Sequence, residues 1–158
     1  MIHLVYVMKR TTVLVLALLC FSCEQDKGDI YELPVCQEIV QSDTYIGNGL
    51  DMLSSDPFRI LGGEIIDDCL KINVSYGGGC TEHEFTLYYE DLPQFSEYSG
   101  ILLLVHDANG DLCKSLIRES VYFDLTGVRD TAMNMVRLML RPNVADSDDY
   151  LMVDYYYP

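Results

Sequence analysis

Two short segments carry most of the residues able to do chemistry. The first is Gly77-Gly78-Gly79-Cys80-Thr81-Glu82-His83-Glu84-Phe85. The second is His106-Asp107-Ala108-Asn109-Gly110-Asp111-Leu112-Cys113. Two thiolates and two imidazoles suit a tetrahedral zinc ion, and the spacing from Cys80 to His83 fits one ligating turn. The same types suit a cysteine nucleophile with a histidine base, for which the N–H groups of the three glycines would form an oxyanion hole. A third chemistry is a disulfide between Cys80 and Cys113, with His83 and His106 as satisfied polar groups at the end of a sheet. Asp107, Asn109 and Asp111 alternate like the first ligands of a calcium loop, but the later Glu and the glycine placement are missing, so a hairpin turn is expected there.

The elements that must position these residues are strands. Leu70, Ile72, Val74 and Tyr76 alternate with Lys71, Asn73 and Ser75, and His83, Phe85, Leu87 and Tyr89 alternate with Glu84, Thr86 and Tyr88. Such two-residue periods mark half-buried strands. Ile101 to Val105 is continuously apolar, as for a strand covered on both faces. Further strands are expected at Phe58 to Ile66, Val121 to Leu125, Val136 to Arg141 and Leu151 to Tyr157. About seven short strands with no sustained helical period predict an all-β antiparallel β-sandwich, with a small open β-barrel as the alternative. If the strands at 83–89 and 101–106 pair antiparallel, His83 and His106 become neighbours, and Cys80 and Cys113 lie just beyond them.

The start of the chain reads as an address. Lys9 and Arg10 precede an apolar stretch from Thr11 to Phe21, then Ser22, Cys23 and an acidic turn beginning at Glu24. That is the order of a secretory signal. The apolar stretch is about half the roughly 20 residues needed to span a membrane. The end of the signal resembles a bacterial lipobox, with Cys23 as the lipidated residue, although Cys20 stands where the pattern has Leu. Counted from Met8, the signal has normal order. The expected organisation is a signal peptide over 1–22, a lipidated Cys23 with tether and irregular lead-in over 23–55, and a β-sandwich over 56–158. Within the lead-in, a strand is expected near Tyr31 to Val35.

Export bears on the cysteines. Of six, Cys36, Cys69, Cys80 and Cys113 follow Cys23. An even number in an oxidising compartment favours two disulfides and disfavours free thiolates at a zinc or catalytic site. With Cys80 joined to Cys113, Cys36 pairs with Cys69 by elimination. Bridging over a loop of this length stabilises by about 3–4 kcal/mol on the chain-entropy estimate.

The two segments resemble a group of short Bacteroidetes-type lipoproteins that share GGC-x2-H-x-F and H-D-x3-D-x-C. The resemblance covers roughly residues 60 to 128. It implies compartment and fold, and no activity.

Charge restricts the partners. The chain carries 25 acidic and 10 basic side chains, a net charge of -15. Nucleic acid is not expected as a partner, since phosphate binding needs clustered Lys and Arg. The acidity also repels anionic headgroups, so the folded part should stand off the membrane on its tether. Tyrosines at Tyr88-Tyr89 and Tyr155-Tyr156-Tyr157 must show some rings outward, because adjacent strand residues face opposite sides. Exposed tyrosines suit protein or glycan partners.

The expectation is therefore a lipid-anchored outer-membrane protein, facing the periplasm or the cell surface, that acts as a non-enzymatic binding or accessory module without a cofactor. The rival is a metal- or thiol-dependent enzyme built on Cys80, His83, His106 and Cys113. Replacing the lipid acceptor, Cys23→Ala, should move the protein from the membrane fraction to the soluble one and abolish fatty-acid labelling. A variant that stays labelled and membrane-bound would refute the assignment.

Overall fold

Alternating residues of nine strands build the molecule, shown here by a computed structural model that describes residues 35–42, 53–92, 97–144 and 149–158. All of them lie in one unit, Pro34–Pro158. The signal segment, Met8 and Cys23 fall outside the described residues. So does the strand expected near Tyr31 to Val35, except for Val35, which is not in a strand.

In chain order the strands are β1 (Gln37–Glu38), β2 (Val40–Gln41), β3 (Phe58–Ile66), β4 (Cys69–Gly78), β5 (Glu84–Asp91), β6 (Gly100–Asp107), β7 (Ser115–Asp124), β8 (Met135–Pro142) and β9 (Leu151–Tyr156). They form two open sheets, ordered β1-β7-β4-β3 and β2-β5-β6-β8-β9. The all-β sandwich expected from the alternation is what folds.

The sheets are mixed rather than purely antiparallel. β1 pairs parallel with β7, β2 with β5, and β6 with β8. The reason is the path of the chain. After β6 it crosses to the other sheet as β7, and β8 returns beside β6 running in the same direction. The Asn109-Gly110 turn forms, with both residues at positive φ. It is not a hairpin, however, because β6 and β7 belong to different sheets. The three glycines likewise lie where β4 passes to β5 in the other sheet. Two inter-sheet arches therefore stand at one end of the sandwich. The lead-in, expected to be irregular, supplies β1 and β2, one to each sheet.

The core lies between the inner faces. Leu70, Ile72, Val74 and Tyr76 of β4 pack against Phe85 and Leu87 of β5, Leu102 and Leu104 of β6, and Leu138 and Leu140 of β8. Leu103, on the opposite face of β6, is also buried, which accounts for the unbroken apolar run there. Burying such side chains supplies the main drive for folding. Leu104 is fully buried, so Leu104→Ala should cost about 2–5 kcal/mol. Leu61, 54% exposed, should change stability by no more than about 0.5 kcal/mol on the same replacement. Urea titration checks both through the midpoint, with the slope unchanged.

Candidate functional site

The structure brings both chemistry-bearing segments to the arched end of the sandwich and organises them around Asp111. Gly79, at φ 112°, turns the chain so that successive N–H groups converge. Such a run of N–H groups is an anion-binding concavity. Its occupant is internal. Asp111 Oδ2 accepts the N–H of Gly79 at 2.8 Å, of Cys80 at 2.8 Å and of Thr81 at 3.1 Å. Asp111 Oδ1 accepts the N–H of Cys113 at 2.7 Å. The glycine-rich N–H groups that suggested an oxyanion hole are thus held by a carboxylate of the neighbouring arch. These donors, with Cys113 first and Cys80 next, hold the Asp111 carboxyl well below the ordinary carboxylate range.

The histidines continue the network. His83 Nε2 lies 3.2 Å from Asp111 Oδ2, His83 Nδ1 lies 2.8 Å from His106 Nε2, and His106 Nδ1 lies 3.4 Å from the backbone oxygen of Asp56. Both ends of this chain are oxygens without a proton. The contact at Asp56 is the longest of the three. Burial pushes the His106 imidazole below its ordinary range.

The rings are enclosed by aromatics. His83 stacks on Tyr76 at 4.5 Å between centroids, and His106 stacks on Phe85 at 4.5 Å. Tyr76 donates its hydroxyl to Glu119 Oε1 at 2.7 Å. Gly78 explains another part of the glycine run, because a Cβ there would lie 2.5 Å from the His83 ring and 3.1 Å from Asp111 Oδ2. The residues before β3 close the far side: Ser55 Oγ accepts the N–H of His106, and Asp56 Oδ2 accepts that of Ala108.

Cys80 and Cys113 are joined by a disulfide, as are Cys36 and Cys69, each pair 33 residues apart. The set Cys80, His83, His106 and Cys113 does come together, but its members are bonded to one another. The sulfurs form one bond and the facing ring nitrogens share a hydrogen bond. Among the described residues, the ligand-type atoms close enough to share an ion are those of Cys80, Asp111 and Cys113, within 4.8 Å, and two of the three are the disulfide sulfurs. The side chains of His83 and Asp111 are 1% and 0% exposed, and His106 is 1% exposed. As it stands, the arrangement is a clasp between two arches.

Sequence reasoning placed the cysteines and histidines at one end and missed the centre. Asp111 was legible only as part of a turn, and nothing in the sequence marks Asp56 as a partner of β6.

The fold defines an all-β, two-sheet protein whose reactive-looking residues close one end of the sandwich. No protein-family model matches the chain, and no curated protein matches it in sequence. Solved structures do. A NigD-like immunity protein from Bacteroides caccae superposes with a TM-score of 0.54 at 19% identity, covering 77% of this chain and 64% of that one. A protein described as toxin-related, from Parabacteroides distasonis, gives 0.56 at 22% identity, covering 77% and 61%. A protein of unknown function, DUF1344, from Bacteroides vulgatus gives 0.51 at 18% identity, covering 80% and 58%. These likenesses establish a shared fold, and the chain spans about three-fifths of the length of each neighbour.

Both titrating groups predict acid sensitivity. The folded His106 value lies below the ordinary 6.5, so the unfolded chain takes up that proton first. Its contribution is complete above pH 6.5 and is lost as pH falls towards the folded value. Asp111 is lowered from 3.8, so its contribution is present above that value and is lost as pH falls through the folded one. Stability should decline in two stages on acidification. Asp111→Asn should remove the lower stage and reduce Tm at pH 7 by about 5 °C or more. Thermal melts from pH 8 down to about pH 1 check this; parallel profiles for variant and wild type would count against it.

Proposed function

We propose that the chain is a lipid-anchored envelope protein of the outer membrane whose β-sandwich acts as a non-enzymatic module for binding a protein partner. One observation carries the reading. The residues best suited to chemistry are bonded to one another, and the side chains of His83, His106 and Asp111 are buried. A catalytic thiol must be free, and a general base must reach a substrate proton. Here the sulfurs are in a disulfide, and His83 and His106 meet Asp111, each other and Asp56.

The structural neighbours support a binding role, since one is described as an immunity protein and another as toxin-related. The anchor rests on the signal order around Cys23, and the outer-membrane location on Glu24, Asp26 and Asp29 following it. That acid-rich start resembles surface-export signals of Bacteroidetes lipoproteins.

Thiol titration of the unfolded protein separates this reading from the enzyme. Purified from membranes, the chain should show no titratable thiol without reductant and four with it, because Cys23 is held as a thioether. Metal analysis should find no stoichiometric zinc. Free thiols together with one equivalent of zinc would replace the binding module by the enzyme.

A further inference from the structure

Among the described residues, no strand lies beyond β9, which forms a straight edge of its sheet. Sheet edges present unpaired N–H and C=O groups, and proteins blunt them by cover, bulges, charge or proline. The other three edge strands are short or interrupted. β1 and β2 have two residues each and cover Phe123–Asp124 of β7 and Tyr88–Tyr89 of β5. β3 is broken by a register shift between Ile60 and Gly62 and carries the charged Arg59 and Glu64.

β9 has one of them, the outward Asp154, whose carboxylate is paired with Arg137 of β8. It pairs with β8 in unbroken register from Leu151 to Tyr156 and contains no proline or lysine. The Tyr157 N–H donates to the Asn134 oxygen at 3.1 Å. Antiparallel pairs alternate between bonded and non-bonded, so Tyr155, Val153 and Leu151 also direct their backbone groups to β8. Those of Met152, Asp154 and Tyr156 therefore point away, and no described strand pairs with them. The same three residues turn their side chains to the outer face. Met152 and Tyr156 are 37% and 69% exposed, and Tyr150, just before the strand, is 65% exposed. Beside them, over β8 and β9, is a cavity of about 360 Å³ lined by Tyr98, Met139, Tyr150 and Met152 together with Glu97 and the ion pair of Arg137 and Asp154.

We propose that β9 is a docking edge to which a basic partner protein adds an extended segment as a sixth strand, seating one side chain in that cavity. Strand addition takes its affinity from main-chain hydrogen bonds and its selectivity from pockets for alternate side chains. The occupant follows from charge. With a net charge of -15, the chain repels a second copy. A segment rich in Lys and Arg meets the opposite sign. This deepens the binding reading above and depends on it.

The test uses the full-length chain in detergent micelles and a capped ten-residue peptide alternating Lys with Val. The control is a peptide of the same charge with Pro at alternate Val positions, which cannot form a strand. Hydrogen exchange followed by NMR should show saturable new protection at the amides of Met152, Asp154 and Tyr156 with the first peptide and none with the control. Met152→Pro should weaken binding at least tenfold, since proline is tolerated where an edge N–H faces solvent. Equal binding of both peptides, protection elsewhere, no protection at all, or a dimer joined through β9 would each overturn the proposal. The control peptide keeps the test decisive if Met152→Pro does not fold. Failure here with all four thiols oxidised removes the edge and leaves the module, whereas free thiols with zinc remove the module itself.

Discussion

A single buried carboxylate holds the two arches together. Asp111 collects N–H groups from the chain leaving β4 and from the chain entering β7, which belong to one sheet but reach it from opposite crossings. A buried carboxylate without donors is prohibitively unfavourable. Here five donors surround it, and hydrogen bonds to an ionised group are stronger than neutral ones. The dependence also runs the other way, because without Asp111 four backbone N–H groups lose their acceptor. The glycines follow from the same geometry: Gly79 supplies the positive φ that gathers the donors, and Gly78 leaves room for the His83 ring. The disulfide then fixes covalently what the carboxylate has already aligned.

The opposite end is built on a different principle with a similar result. Arg129 donates to the Tyr155 hydroxyl at 2.8 Å and pairs with Asp68, while its guanidinium lies 5.8 and 5.6 Å from the Tyr155 and Tyr157 ring centres. Tyr155 donates to Asp68 at 2.5 Å, and this bond, with Arg129 second, holds the Asp68 carboxyl below its usual range. Burial foremost pushes the Tyr155 hydroxyl up to about 12. Cys69, which begins β4, is bonded to Cys36, so the segment that supplies β1 and β2 is tied to the start of a central strand. β9 is thus anchored on its inner face, through Tyr155, and bare along its outer edge.

What was legible in the sequence was whatever repeats with the pleat. The inward faces of β4 and β5 follow from alternation, because successive side chains of a strand point to opposite faces. Strand order does not. Nothing in Asn109-Gly110 distinguishes a turn within a sheet from one that changes sheets, so the parallel pairing of β6 with β8 could not be read. Residues 37–41 have no apolar period, because each of their two-residue strands is held by backbone pairing at an edge rather than by a buried face. Asp111 escaped for a related reason. Its partners are backbone N–H groups some 30 residues away, and backbone donors leave no mark on residue identity except through the glycines that expose them.

The clustering of cysteine, histidine and aspartate in a small domain invites a catalytic reading, and the hydrogen bonds these residues make to one another favour a structural one. A two-sheet fold whose chain crosses twice between sheets at one end must satisfy two turns of backbone close to the core. Buried polar groups can stay there only when fully paired. The residues able to supply donors and acceptors in so little space are those that also serve active sites. Their proximity follows from the crossing, and their use is shown by where their hydrogen bonds end. At the arched end those bonds close inward, on Gly79, Cys80, Thr81, Cys113 and Asp56. Along β9 they are left open outward, on Met152, Asp154 and Tyr156.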